Sequence, residues 1–479
     1  MFCIEYFTLE LLAKWDPTHF AARCAVSRIF VLRFVPPFGG GMEIYMWFEE
    51  SVMYQIYPLG FCGAPEHNDG VLTSRILKVK EYIPHLSALG VGAVYFCPLF
   101  ESSAHGYDTA DYSKLDVRLG TNEDFKAVCD ALHANGIRVI LDGVFNHVGR
   151  DFFAFRDVRE NKYNSRYKDW FYTHFDGNSP YNDGFWYEGW EGHFELVKLN
   201  LDNPEVKRYL LDRVGEWMDT FGIDGLRLDV AYMLNRQFMR ELRGFCLAKN
   251  PDFFLVGEMI HGNYKDIVNG EMLHSATNYE CYKGVYSALN CKNLFEIGHS
   301  LMRQFGREDW CPYRGMHLLS FIDNHDVTRI ASILSDKNHL KAAFGILLAM
   351  PGIPCIYYGS EWGIEGRKEN GDAALRPAVF EPQHTALTEF VTAAVKARKE
   401  SRALCYGSFE ILHLTNRQMI FERACDGERV LVMINADAAE HIAHFNANAG
   451  CGTDLLTGAH FDFGGGSVMP PYSVQYIRI

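Results

Sequence analysis

The sequence predicts an α/β chain: a (β/α)8 TIM barrel with a subdomain inserted after its third strand and an antiparallel β domain at the C-terminal end. Three observations predict it. From Ser51 to about residue 400, short β-like runs alternate with helical periodicity, the mark of a parallel sheet wrapped in helices. One long irregular stretch, 149–201, interrupts the alternation. After Ser401 only short alternating runs remain.

The expected strands follow in order. The first covers residues 52–58, and a helical stretch after it ends at Gly90. The second is 93–96 and leads into CPLFESSAHGYDTADY, a loop full of turn and binding residues. Thr121 then caps a helix that places Phe125, Val128, Cys129 and Leu132 on one face and stops at Gly136. The third strand, 137–141, ends in DGVFNHVG. The insertion that follows (expected as 149–200) is rich in aromatics, Asn and Gly, and loops of that length are functional or form a small domain. Asn203-Pro204 opens the next helix, with Leu210, Val214, Trp217 and Phe221 on its apolar face.

That helix delivers the chain to FGIDGLRLDVA, residues 221–231. A strand alternates sides with a period of two, so Arg227 and Asp229 face the same way. Two charges on the inner side of an apolar strand need a partner or a substrate. The fifth strand, 253–257, ends at Glu258. A weaker sixth is expected near 276–279, a seventh at 318–322 ending in DNHD, and an eighth at 352–358 ending in GSEWG. Each strand is expected to be followed by a helix. The divisions read from the sequence are 42–148 with 201–400 for the barrel and 401–479 for a β-sandwich. Residues 1–41 stand out of register and read as an N-terminal extension, with Met42 the expected natural start.

Composition narrows the class. The 479 residues are 48% hydrophobic, 22% charged and 14% aromatic, and aromatic wealth suits stacking on sugar rings as well as a large core. A net charge of −14 argues against nucleic acid and anionic membranes as partners. The 13 cysteines show no zinc spacing, and Cys97, Cys129 and Cys355 lie in apolar runs as buried thiols, which points to a reducing, cytoplasmic setting. No segment has the length and apolarity of a membrane span or the basic start of a secretion signal.

Three strand ends carry acids toward one mouth: Asp229, Glu258 and Asp326. The third strand adds Asp142, Asn146 and His147, and His325 precedes Asp326. No Walker loop, GxSxG or strand-coupled GxGxxG is present. Clustered acids with His and Arg suit glycoside hydrolysis, which needs one carboxylate and one protonated carboxyl about the scissile bond. The same acids would also suit a divalent-metal hydrolase, and spacing leaves both readings open.

DGVFNH (142–147), GLRLDVA (225–231), GEMIH (257–261) and FIDNHD (321–326) resemble, in order and separation, the four motifs of the α-amylase superfamily, glycoside hydrolase family 13. GVGAVYFCPLF, LVKLN and GIPCIYYGSEWG are similar to its flanking stretches. HGYDTADY (105–112) and SRYKDWF (165–171) resemble its cyclomaltodextrinase, neopullulanase and maltogenic amylase branch. The resemblance implies Asp229 as nucleophile, Glu258 as acid and base, and Asp326 as the acid that holds sugar hydroxyls. It implies that Arg227 aims the nucleophile, that His147 and His325 grip hydroxyls, and that Tyr107 stacks under the sugar. Asp372 and Arg376 resemble a further substrate-binding pair, His261 a weaker candidate, and Asp142 a structural partner of Arg227. The chemistry requires no cofactor. A structural calcium ion is common in the family, with Asn146 as the candidate ligand here.

The implied substrates are α-glucans: maltodextrins, cyclodextrins or starch fragments cleaved at α-1,4 bonds, with α-1,6 cleavage or glycosyl transfer as extensions. An endo-acting α-amylase shares every catalytic residue, and a glucan-binding protein on an amylase fold is the alternative from another class. The chain departs from the branch in two motifs, VAYM (230–233) for VANE and LVKLN for MPKLN. About 50 residues precede the first strand, too few for the branch's N-terminal β domain. A dimer built through that domain is therefore not expected, and a more open cleft is.

Overall fold

In the computed structural model, which describes residues 46–479, eight parallel strands curl into one sheet. They are β1 (Met53–Ile56), β2 (Ala93–Phe96), β3 (Arg138–Gly143), β4 (Gly225–Leu228), β5 (Phe254–Gly257), β6 (Ser275–Ala276), β7 (Leu319–Ser320) and β8 (Ile353–Tyr357). Neighbours run β6-β5-β4-β3-β2-β1-β8-β7. A parallel bridge from Thr277 to Leu319 joins the two ends and closes the barrel. The 1–41 extension and the Met42 start lie outside the described residues.

Helices α1 (Lys78–Leu89), α2 (Asn122–Ala134), α3 (Pro204–Phe221), α4 (Arg236–Lys249), α5 (Tyr279–Asn290), α6 (Phe295–Phe305), α7 (Leu340–Ala349) and α8 (Ala386–Lys399) pack outside. Their ends follow the capping chemistry in the sequence. Thr121 accepts from the Asp124 N–H and Asn203 from the Glu205 N–H, supplying orphan donors of the first turn. One expectation fails. β5 is followed by a single 3-10 turn, Tyr264–Asp266, because the short connection to β6 spends its residues on Gly262, Asn263 and Gly270. The sixth and seventh strands are also shorter than expected, two residues each.

After β3 the chain builds a small subdomain. A helix, Phe153–Asn161, packs beside a three-stranded sheet in which His193–Lys198 pairs with His147–Gly149 and Gly189–Trp190. His147 thus belongs to the insertion's own sheet. Trp217 of α3 anchors the barrel beneath it, stacked on Phe100 at 4.4 Å and donating its indole N–H to the Tyr112 carbonyl at 2.8 Å.

The C-terminal part begins with α9 (Arg402–Tyr406) and continues as β9 (Ser408–Leu414), β10 (Gln418–Cys425), β11 (Glu428–Asn435), β12 (His441–Ala443), β13 (Cys451–Asp454), β14 (His460–Asp462), β15 (Ser467–Met469) and β16 (Val474–Arg478). Six of these strands form one antiparallel sheet, and β12 with β15 forms a ribbon. Alternation along β10 and β11 sorts the apolar side chains into two layers. Ile420, Leu431 and Met433 join Ala443 and Met469 in a core beneath the ribbon, while Phe421, Val432 and Ile434 join the core shared with the barrel. Cys97, Cys129 and Cys355 are buried free thiols. Among the described residues no helix is long and apolar enough to cross a membrane.

Replacing Trp217 with Ala removes a fully buried aromatic and its hydrogen bond. It is expected to destabilise the barrel by about 3–5 kcal/mol. A thermal unfolding midpoint within a degree or so of the parent would contradict this placement of the core.

Candidate active site

Arg227 lies in β4 directly across from Asp142 of β3 and Val256 of β5. Its side chain points into the barrel, 2% exposed. One terminal nitrogen, Nη1, lies 2.9 and 3.0 Å from the two Asp142 oxygens and 2.7 Å from Asp229 Oδ1. The other, Nη2, lies 2.8 Å from Glu258 Oε1. One guanidinium therefore serves three buried carboxyl groups. Burial pushes the Asp229 carboxyl well up, and the nearby charges of Glu258 and Asp142 add to this against the pull of Arg227. Burial raises Asp142 too, again opposed by Arg227. Asp229 and Asp142 each hold a proton more tightly than a lone carboxyl in water.

Strand register brings Asp229 and Glu258 to one level. Leu228 pairs with Gly257, so the next residue of each strand leaves the sheet at the same height. The Glu258 N–H donates to the Leu228 carbonyl at 2.9 Å and the Asp229 N–H to the Gly143 carbonyl at 3.1 Å, extending the ladder past the strand ends. Gly257 permits this closeness: a Cβ there would stand 2.6 Å from Leu273 Cδ1 and 2.7 Å from Ala231 Cβ. Val230, just after Asp229, has φ of +47°, a left-handed conformation that is an outlier for a β-branched residue. Strain of this kind costs about 1–3 kcal/mol and gathers at functional sites. Here it turns the Val230 N–H onto Glu258 Oε2, at 3.0 Å.

Asp326 completes the mouth from the loop after β7. Arg376 Nη2 is 2.9 Å from its Oδ1 and His325 Nε2 is 3.0 Å from its Oδ2. Burial alone would raise its pKa, but His325 and then Arg376 outweigh that and hold it far below the usual carboxylate range. His325 is the reciprocal case. Burial pulls it down, Asp326 more than compensates, and it rises to about 10. Gln55 lies 2.8 Å from its Nδ1, and the Tyr107 hydroxyl bonds both its Nε2 and Asp142. A cationic His325 requires the Gln55 carboxamide to present its oxygen, an orientation set by the hydrogen-bond network. Arg376 also reaches Asp372 at 3.2 Å, and Lys368 holds the other Asp372 oxygen at 2.5 Å.

His147 is the contrasting histidine. Burial lowers it to about 3, so its ring is neutral. Its Nε2 is buried without a hydrogen-bond partner, 3.8 Å from Asp229 Oδ2. Its Nδ1 is 3.2 Å from the Asn146 amide. His261 stands further out, its ring 4.9 Å from that of Tyr232, whose hydroxyl reaches Glu191 of the insertion at 3.3 Å.

A calcium ion at Asn146 would be taken by its carboxamide oxygen. A calcium site gathers several carboxylate and carbonyl oxygens, and among the described residues no three His, Cys, Asp or Glu side chains come together to hold a metal ion. The Asn146 atom that meets His147 is its amide nitrogen.

Several members of the site were not singled out from sequence. Gln55 carried a signal, a lone amide inside an apolar strand. Tyr95 donates to Asp142 at 2.9 Å, and Tyr279 lies 3.4 Å from Glu258 Oε1 and 3.1 Å from Asn324. Neither tyrosine differs in sequence from an ordinary core aromatic.

Residues 55–403 match the family model described as Alpha-amylase: Alpha amylase, catalytic domain. A cyclomaltodextrinase from a Bacillus species is 32% identical, over 90% of this chain and 81% of that protein. The intracellular maltogenic amylase of Bacillus subtilis is 30% identical, over 83% of this chain and 70% of that protein. Among solved structures, the ligand-free cyclic α-maltosyl-(1→6)-maltose hydrolase from Arthrobacter globiformis superposes with a TM-score of 0.78 at 26% identity, covering 91% of this chain and all of that one.

The two histidines are expected to titrate apart. Raised to about 10, His325 contributes stability that is fully present below about 6.5 and lost as pH climbs through 10. Depressed below 3.8, Asp326 contributes stability present above that value and lost as pH falls beneath it. NMR of the imidazole resonances should show a doubly protonated His325 at pH 8 and a neutral His147 down to about pH 4. A His325 midpoint near 6.5 would rule out the charged pair.

Proposed function

The chain belongs to the α-amylase family, and from that premise we propose that it is a retaining hydrolase of α-1,4-glucosidic bonds in maltodextrins and cyclodextrins, with α-1,6 bonds as secondary targets. The observation that carries this is the shared guanidinium: Asp229 and Glu258 meet one Arg227 from adjacent strand ends. That supports two carboxyl groups flanking one glycosidic oxygen while sharing a proton.

In the first step Asp229 forms a bond to the anomeric carbon as the glycosidic C–O bond breaks. Glu258 gives its proton to the leaving oxygen. In the second, Glu258 takes a proton from water, the water oxygen bonds to the anomeric carbon, and Asp229 leaves. Arg227 keeps the Asp229 oxygen that faces it in place. Asp326, locked between His325 and Arg376, stays ionised and accepts from sugar hydroxyls. The vacant Nε2 of His147 donates to a hydroxyl of the same ring, and Tyr107 lies beneath it. Asp372 steadies Arg376 and borders the sugar. No step calls for a cofactor.

The linkage range draws on the relatives, one named for cyclomaltodextrin and one for a cyclic maltosyl-(1→6)-maltose. The buried thiols and the relative named intracellular support a cytoplasmic setting.

Asp229→Asn should keep oligosaccharide binding and lower kcat by about 10⁴-fold or more, as loss of a nucleophile does. A variant within tenfold of the parent would remove Asp229 from that role. Offered β-cyclodextrin, pullulan, soluble starch and maltotriose side by side, the protein should release α-anomers, fastest from cyclodextrin. Initial β-anomers in the NMR spectrum would refute retention, and much faster attack on starch would make it an endo-acting α-amylase.

A further inference from the structure

The barrel's other face, at the N-terminal ends of its strands, holds a second cavity of about 350 Å³, enough for a small molecule. It opens between the segments entering β7 and β8 and the first turns of the C-terminal domain. Arg307, Arg314, His317 and Arg423 line it, and among the described residues no aspartate or glutamate does. That sign is opposite to a chain carrying −14 overall.

The balance of charge around these cations is uneven. Arg307 has acids set back from the cavity, Glu410 at 2.6 Å and Glu422 at 3.0 Å, and Arg314 has Asp309 at 2.8 Å. Arg423 has no carboxylate partner among the described residues. It is 1% exposed and donates to the carbonyls of Ala349, Gly407 and Ser408. Behind it Arg398, equally buried, donates to the carbonyls of Leu348, Met350 and Gly352. These acceptors gather around the end of α7, and a helix C-terminus offers about half a negative charge against two full positive ones.

The neighbours register the deficit. Burial and then Arg398 pull Arg423 down to about 9, and burial with both arginines pulls His317 to about 4. His317 Nδ1 is buried without a partner. Acids approach from one side: Glu49 is 3.9 Å from His317 Nε2, and Glu50 bonds the Tyr406 hydroxyl at 2.6 Å.

We propose that this cavity binds a small phosphate-bearing anion, with Arg423 at its back and Arg307 and Arg314 at its sides. Guanidinium forks match phosphate oxygens in pairs, and a buried, uncompensated cation gains most from such a partner. The space exceeds a bare phosphate, which favours phosphate carried on a sugar-sized group. This site is separate from the hydrolytic one and does not depend on the hydrolase reading.

Titration calorimetry on the full chain, at constant ionic strength in chloride buffer, tests it with inorganic phosphate, inorganic pyrophosphate and glucose 1-phosphate. At least one should bind saturably at one site per chain with a Kd below about 1 mM. Tighter binding of glucose 1-phosphate would identify a phosphorylated sugar, and tighter binding of pyrophosphate an inorganic anion; either supports the site. Arg307→Gln combined with Arg314→Gln should weaken binding about tenfold or more while glucan hydrolysis stays unchanged. Arg423→Met should abolish binding if it folds, and the double variant decides the matter if it does not. No saturable heat up to about 10 mM, or affinity unchanged in the double variant (an adventitious ion only), would overturn the proposal.

Discussion

The two terminal nitrogens of Arg227 reach Asp142, Asp229 and Glu258 together, and the mouth of the barrel is arranged around that contact. At an effective dielectric of 20, a charge pair 4 Å apart gains about 4 kcal/mol. Removing each ion from water costs several kcal/mol. One cation therefore cannot fully offset three buried carboxyl groups, and Asp229 and Asp142 hold their protons more tightly than in water. A structural salt bridge would have no use for that surplus. A hydrolase that needs one acid and one base side by side does.

The same logic divides the other charges of the site. Asp326 meets two cations, His325 and Arg376, and is held fully ionised. Asp229 meets one cation shared with two rivals and is pushed the other way. Two aspartates in one pocket are thus given opposite proton affinities by counting partners. The histidines separate similarly, His325 charged by an adjacent acid and His147 kept neutral by burial.

Holding such a cluster takes backbone as well as charge. Gly257 lets Ala231 and Leu273 pack against the end of β5, and the left-handed turn at Val230 carries the chain there from the end of β4. In the loop after β2, Asp108 accepts from the N–H groups of Ala104 and Gly106 and so fixes the segment that carries Tyr107. The far face of the barrel uses its charges differently: Arg398 and Arg423 close a helix end, and Arg423 faces a cavity whose wall, among the described residues, holds no carboxylate.

By itself the sequence determined the alternation of strands and helices, the helix caps at Thr121 and Asn203, the long insertion, and the ordered motifs that bear Arg227, Asp229, Glu258 and Asp326. These were legible because periodicity, capping and motif order are local properties of the chain. The missing helix after β5 was less legible, since Gly262, Asn263 and Gly270 are modest signals inside a strong repeating pattern. Only the tertiary structure decided that Tyr95 and Tyr279 face the acids, and that three arginines and a histidine wall a second cavity. Each of those facts depends on residues distant in the chain meeting across the barrel. Such meetings are set by strand register and closure, which no window of sequence contains.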